Sequence, residues 1–381
     1  MKVGLEVFLE KHTNIVKGQR VGLLTNLTGV NHQLEATIDL FYKHDAIQLT
    51  ALFGPEHGLR GEVQEGQHVD SSIDSYTGVP IYSLYTKDKK PNTTMLENVD
   101  VMVCDLQDIG TRYYTFIYTL ANVMKICGQM GKKVIVLDRP NPINGVSVEG
   151  NLVEERFRSF VGQYPMPVRH GMTIGELSVL FKHEFGIECE LEVIGMEGWQ
   201  RGMFFDETDL FWVPPTPNTT TMDMCLLYPG TCLVEGTNFS EGRGTTRPFE
   251  VIGAPFVDGR KLATELNNLS LAGVLFRPTV FKPMYSKHAG EVCEGVQVHL
   301  ANRIINPFEI GIYLIETLAK CYPDEFSYIT AGKANRYFID LLAGTDDLRH
   351  QVEQGNTAPF RESLSASAQE FITIRKKYLL Y

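Results

Sequence analysis

Several familiar signatures are missing from this sequence, and each gap removes a class of protein. There is no C-x-x-C pair, no H-E-x-x-H run and no other Cys/His pairing with metal-ligand spacing, so no metal is expected. The seven cysteines fall at 104, 127, 189, 225, 232, 293 and 321, an odd and scattered set, with Cys104 and Cys127 inside apolar runs. They read as buried free thiols of a reducing compartment rather than a disulfide framework. Positive charge is also scarce. Thirty-five Lys and Arg against 46 Asp and Glu give a formal net charge of -11, which argues against a general nucleic-acid binder.

Long apolar runs are lacking too. No stretch approaches the roughly 20 residues of a membrane span. The opening MKVGLEVFLEKH carries Glu6 and Glu10 where a signal peptide would place an apolar core of roughly 7–15 residues. The chain as written reads as cytoplasmic; a secreted or cell-wall protein in processed or truncated form would read the same. Low-complexity tracts and internal repeats are absent. The 381 residues, 43% hydrophobic and 21% charged, are enough for two domains of ordinary size.

The first half alternates between two periodicities. Apolar strands are expected at Arg20–Asn26, Gln48–Phe53, Val99–Asp105, Lys133–Leu137 and Leu191–Ile194. Helical spacing appears at Leu34, Ile38 and Phe41, and Tyr113–Met130 is helix-compatible. Thr173 and Glu176 form a capping box, followed by Ile174, Leu177, Phe181 and Phe185 on one face and a stop at Gly186. Continuously apolar strands joined by helices mean a parallel sheet covered on both faces. The expected fold is α/β: a Rossmann-like doubly wound sheet over residues 1–210, then a smaller α+β domain over 211–381 entered through the Pro-rich Val213–Asn218. In the second part, Gly230–Pro255 reads as turn-rich, Gly259–Leu269 as helix, and Gly273–Phe281 and Gly295–Leu300 as strands. The first strand runs into TNLTGVN, which has no G-x-G-x-x-G, so NAD is disfavoured and no cofactor is expected.

Open parallel sheets bind ligands at the carboxyl ends of their strands. Strand one delivers Asn26 there; strand two delivers Glu56 and His57 in GPEHG. Strand three delivers Asp105, then Gln107, Asp108, Arg112, Tyr113 and Tyr114, and strand four Asp138, Arg139 and Asn141. Asn26, Asp138 and Asn141 suit helix caps and turns as well as a site, and Asp105 suits holding Arg112 or a backbone amide. Glu56 sits between Gly54 and Gly58, where a cap is unusual and where glycine permits close approach of a ligand. A second polar patch, EGTNFSEGRGTTR, supplies Glu235, Asn238, Glu241 and Arg243, and it reads equally as a solvated loop. Asn218 closes the Pro-rich break, and His170, ahead of the capped helix, reads as a structural residue or as a site residue.

Taken together, GLLTNLTGVN, LTALFGPEHGLRGE, GVPIYSLY, DLQDIGTRYYTFIYT, VLDRPNP, YPMPVRHGMTIGEL, EGTNFSEGRGTT, PFEVIGAPF and RKKYLLY resemble the exo-β-N-acetylmuramidases of glycoside hydrolase family 171. The resemblance runs in order from about residue 3 to residue 381. It implies an active site in a cleft between a Rossmann-like domain and a smaller one. It also implies exo-cleavage of terminal β-linked N-acetylmuramic acid, with Glu56 as catalytic acid/base and Glu62 as the second acidic position.

The chemistry needs an acid for the leaving oxygen and a second group for the anomeric carbon. Glu62, Asp108, Glu235, Glu241 and the substrate's own acetamido group all remain open for the second role, and Asp105 or Asp108 is open for orienting that acetamide. Arg112, Arg139 and Arg243 suit the lactyl carboxylate of muramic acid, and Tyr113, Tyr114 and Tyr164 suit stacking on sugar faces. The remaining expected contacts to the small carbohydrate substrate are Asn26, His57, Asp138, His170, Asn218 and Asn238. No nucleic-acid partner is expected. The rival readings are a non-catalytic muramyl-sugar binder and a nucleotide-dependent enzyme.

Overall fold

A computed structural model describes residues 1–55, 58–59, 72–84, 93–332 and 336–381. Glu56, His57 and Glu62 lie outside the described residues.

The strands of the first half are β1 (Arg20–Thr25), β2 (Gln48–Gly54), β3 (Ser72–Ile73), β4 (Pro80–Ser83), β5 (Val101–Asp105), β6 (Lys133–Leu137) and β7 (Leu191–Ile194). They form one sheet in the order β3-β4-β2-β1-β5-β6-β7. Every pairing is parallel except that of the edge strand β3 with β4. The five expected strands are present. The 72–83 pair extends the sheet at one edge, and its strands of two and four residues are too short to carry a periodic signal.

Successive strand residues point to opposite faces, and both faces are covered. Val21, Leu23, Val101, Val103, Ile135 and Leu137 pack on one side with Leu5 and Phe8 of α1 (Gly4–Lys11) and Phe41 of α2 (Thr37–Lys43). Leu24, Met102, Cys104, Val134 and Val136 pack on the other side with α3 (Phe116–Gln129) and α4 (Ile174–Glu184). This explains why the strands read as unbroken apolar runs. The α4 capping box forms as expected: the Thr173 hydroxyl accepts from Glu176 N, and Glu176 reaches back to Thr173 N. Gly186, at φ +67°, follows the helix in the left-handed conformation.

The second half opens with α5 (Met222–Thr231) and holds a three-stranded antiparallel sheet, β8 (Val251–Ala254), β9 (Val274–Phe281) and β10 (Cys293–Leu300), in the order β8-β10-β9. It is completed by α6 (Gly259–Asn268), α7 (Pro307–Cys321), α8 (Phe338–Ala343), α9 (Asp347–Glu353) and α10 (Ala358–Arg375). The segment expected to be turn-rich therefore contains β8 and the end of α5; the four residues VIGA are too few to give an alternation to read. Helices α5 and α7 cross at Gly230 and Gly311. A Cβ on Gly230 would stand 1.8 Å from the Pro307 carbonyl oxygen, so only glycine permits this contact.

The hydrophobic core on the α3/α4 side runs without a break into the second half, reaching Phe308, Leu342, Phe360 and Phe371. The chain end returns to the first half. Arg375 donates to the carbonyls of Gly145, Val146 and His170, Leu380 N donates to Glu176, and the Tyr381 hydroxyl meets Asp138. No helix among the described residues is long and apolar enough to cross a membrane.

Candidate active site

Strand register aligns the carboxyl ends. Thr25 of β1 pairs with Asp105 of β5, and Gly54 of β2 pairs with Ser83 of β4. Beyond β2, Gly58 N donates to the Pro55 carbonyl at 3.1 Å, with Gly58 at φ +80°, a conformation that glycine adopts without strain.

Most polar side chains delivered to this edge hold one another. Asp105 is fully buried. It accepts from Arg139 Nε at 2.5 Å, Arg139 Nη2 at 2.9 Å and the Thr37 hydroxyl at 2.5 Å. The partner of Asp105 is thus Arg139, not Arg112, and the carboxylate has no face left for a substrate acetamide. Asn26 accepts from the backbone and hydroxyl of Thr28 and donates to the Pro215 carbonyl at 3.3 Å. It closes a turn and ties β1 to the segment that enters the second half.

Four other expected residues are held by partners within the protein. Asp138 is fully buried and accepts from the Arg139 and Gly175 backbone, the Thr173 hydroxyl and the Tyr381 hydroxyl. Burial pushes its carboxyl up to about 6, opposed by the hydrogen bonds from Tyr381, Gly175 and Thr173. Arg112 is equally buried; its guanidinium donates to the carbonyls of Asn151, Met166, Leu342 and Ala343 at 2.7–3.0 Å. With those donors aimed at backbone, it is turned away from any lactyl carboxylate. Asn238 donates to Glu325 O and accepts from Ser327 N, so it braces a loop. Tyr164 stacks on Phe185, ring centroids 4.4 Å apart, as a core aromatic.

Asp108 and His170 meet beneath the surface. His170 Nδ1 accepts from Met172 N, and its Nε2 lies 3.2 Å from Asp108 Oδ2. Asp108 Oδ2 also accepts from Gly110 N, while Oδ1 is buried with no partner among the described residues.

A cleft opens between the two halves. Tyr113, Tyr114 and Phe160 wall it on one side, and Thr216, Asn218, Thr219, Tyr228, Glu235, Arg243 and Phe249 on the other. Five of the expected residues therefore converge here: Tyr113, Tyr114, Asn218, Glu235 and Arg243. Arg243 donates to Glu235 at 2.6 Å and lies over the Phe249 ring, 5.0 Å from its centroid. Glu241 sits behind, 3.4 Å from Arg243 Nε and 2.9 Å from Lys287 Nζ. Lys287 also donates to the carbonyls of Val234, Glu235 and Phe239, which locks the loop. Burial holds the Tyr114 hydroxyl well above its ordinary pKa, and that hydroxyl has no hydrogen-bond partner among the described residues.

Sequence reasoning missed Thr216, Thr219, Tyr228 and Phe249. The two threonines flank Asn218 in PPTPNTT, and that run of hydroxyls in a proline break was the available signal. The cleft joins aromatic faces, hydroxyls, an amide and an Arg–carboxylate pair, the combination that grips a sugar ring by stacking and by directional hydrogen bonds.

Fold and cleft define a two-part α/β protein with a candidate site between the parts. The family model of the exo-β-N-acetylmuramidase NamZ N-terminal domain matches residues 21–223, and that of the C-terminal domain matches 226–381. The chain belongs to the exo-β-N-acetylmuramidase family. It is 46% identical over 385 aligned residues, covering 100% of this chain and 91% of the relative, to the peptidoglycan β-N-acetylmuramidase NamZ of Bacillus subtilis (strain 168). Crystal structures of two DUF1343 family proteins from Bacteroides fragilis NCTC 9343 share the fold. One has a TM-score of 0.92 at 38% identity and the other 0.78 at 31%, each covering 100% of this chain and 98% of its own.

Proposed function

We propose that this chain is an exo-acting glycoside hydrolase. It releases terminal β-linked N-acetylmuramic acid from the non-reducing end of peptidoglycan fragments such as MurNAc-GlcNAc, in cell-wall turnover or recycling. The observation that carries this reading is the 46% identity along the whole chain to a peptidoglycan β-N-acetylmuramidase. In the reaction, an acid donates a proton to the glycosidic oxygen as the C–O bond breaks, and water supplies hydroxyl to the anomeric carbon. Glu56 is the acid. Glu62 and Asp108 are the candidates for the second group, and the unpartnered Oδ1 of Asp108 supports giving it a role. Arg243 takes the lactyl carboxylate, supported by its place on the cleft wall over Phe249. Asn218 and Tyr114 position the ring from opposite walls.

The two-domain division, residues 1–210 and 211–381, belongs to the same proposal, with the sugar bound where Thr216–Thr219 crosses the cleft. All seven cysteines are free, which supports a reducing compartment and imported wall fragments as the substrate.

Glu56→Gln tests the reading. Release of N-acetylmuramic acid from MurNAc-GlcNAc is expected to stop while the thermal transition holds; undiminished release would remove Glu56 from the mechanism. Tight disaccharide binding by the unaltered chain with no product would instead mark a muramyl-sugar binding protein. Proton NMR of the first-formed anomer separates retention from inversion.

A further inference from the structure

The hairpin between β9 and β10 carries none of the motifs read from the sequence, yet its tip closes on the loop that brings Glu235 and Arg243 to the cleft wall. Met284 N donates to the Gly244 carbonyl at 2.9 Å, and His288 Nε2 lies 2.8 Å from the Asn238 carbonyl oxygen. Between them Lys287 sends its ammonium into the loop. Nζ lies 3.0 Å from the carbonyl oxygen of Val234, 3.2 Å from that of Glu235, 2.9 Å from that of Phe239 and 2.9 Å from Glu241 Oε2. Both neighbours of Lys287 hold positive φ, Ser286 at +69° and His288 at +55°. Non-glycine backbone in that region is costly and persists where its surroundings hold it, often beside a functional site.

The charges around this ammonium alternate. Glu241 is buried and lies between two cations, with Oε1 3.4 Å from Arg243 Nε and Oε2 2.9 Å from Lys287 Nζ. A buried carboxylate must be compensated, and the closer cation, Lys287, supplies the hydrogen bond that does so. Arg243 is thereby left at the wall, where its shorter contact is to Glu235 at 2.6 Å. Without Lys287, Arg243 is the remaining cation within reach of Glu241 among the described residues. The buried carboxylate would then draw the guanidinium back from the cleft and spend its charge behind the wall.

We propose that Lys287 is a positioning residue that sets the preference of the cleft for an anionic sugar: it neutralises Glu241, so that Arg243 keeps its charge for the ligand. This role rests on the reading in which Arg243 takes the lactyl carboxylate. It adds to that reading a residue of the β9–β10 hairpin that touches no substrate.

Calorimetric binding of two sugars to the full chain tests it: N-acetylmuramic acid, and its lactyl methyl ester, the same ring without the charge. The unaltered chain is expected to bind the acid about tenfold tighter than the ester. Lys287→Gln keeps a donor for the loop carbonyls and loses the charge. It should cut the preference for the acid about fivefold while the Kd of the ester moves less than about twofold, and Lys287→Arg should restore most of the preference. In Lys287→Gln/Glu241→Gln nothing competes for Arg243 and no unpaired charge is buried, so the chain should fold and the preference should return. A brace that merely held the loop carbonyls would not be rescued in this way. An unchanged preference in Lys287→Gln, equal weakening of both sugars, or no recovery in the double variant would overturn the role. Arg243→Gln tests the reading beneath it. If Arg243→Gln abolishes the preference and Lys287→Gln does not, Lys287 falls and Arg243 stands; if the preference survives Arg243→Gln, Arg243 leaves the lactyl site and Lys287 falls with it.

Discussion

The hydroxyl of Tyr381 lies 2.7 Å from Oδ2 of Asp138, a contact between positions 243 apart. It joins the end of the chain to the carboxyl end of β6, and Thr173 and Gly175 bind the same carboxylate at the start of α4. Removing the hydroxyl in Tyr381→Phe takes a donor from a buried acceptor. About 1–2 kcal/mol of stability should be lost at pH 7 by urea denaturation.

The same carboxylate makes stability depend on pH. Burial pushes the Asp138 carboxyl up from 3.8 to about 6 in the folded chain. Between those values the folded state holds a proton that the unfolded state has released, so Asp138 contributes a loss of stability as pH rises from about 4 to about 6, then no further change. Asp138→Asn removes this slope. The difference in urea midpoint between the parent chain and the variant should therefore shift across that window and be flat above it, and Tyr381→Phe should be more damaging at pH 7 than at pH 4.5.

Arg112→Ala should destabilise the chain by about 3 kcal/mol or more. It leaves four buried carbonyls without their charged donor and opens a void between the halves. Arg112→Lys should recover only part of this, because one ammonium cannot follow the guanidinium fork. Thermal melts check both variants. A normal melting temperature with a raised KM would restore Arg112 to the substrate site.

Asp105→Asn breaks a buried ion pair and strands Arg139, for an expected loss of about 3–5 kcal/mol. The double variant Asp105→Leu/Arg139→Met should be more stable than the single one, since no unpaired charge is left buried. Chemical denaturation of the parent chain and the two variants checks this order.

Tyr285 donates to Asn218 Oδ1 at 3.0 Å, which turns the amide nitrogen of Asn218 toward the cleft. The adjoining loop is held by Lys287 and by two residues in the left-handed region, Ser286 at φ +69° and His288 at φ +55°. Tyr285→Phe should raise KM for MurNAc-GlcNAc about three- to tenfold, the worth of one hydrogen bond, with kcat little changed.

What the sequence disclosed follows a physical line. Alternation and capping are local, so five strands of the sheet, the start of α4 at Thr173 and its stop at Gly186 were legible. The site was legible only as far as chain direction delivers residues to an edge. Direction does not reveal the partner waiting there. Asp138 meets Tyr381 and Arg112 meets Leu342 and Ala343, contacts that no window on the sequence contains. Asn238 lay in a motif rich in site-like residues, yet its amide matched two backbone groups near Glu325 and Ser327. Arg243, thirteen positions before Phe256 in the same stretch, remained for the cleft because its charge had Glu235 at hand and Phe249 beneath it.

The carbonyls of Leu342 and Ala343, which satisfy Arg112, lie 230 and 231 positions downstream of it. During synthesis the first sheet emerges from the ribosome long before those acceptors exist. Until they arrive, the guanidinium must stay hydrated, and the native burial around it cannot close. Final closure of the enzyme is therefore a late event, set by release of the last helices, and a nascent chain stalled short of α8 should be open to proteases around Arg112.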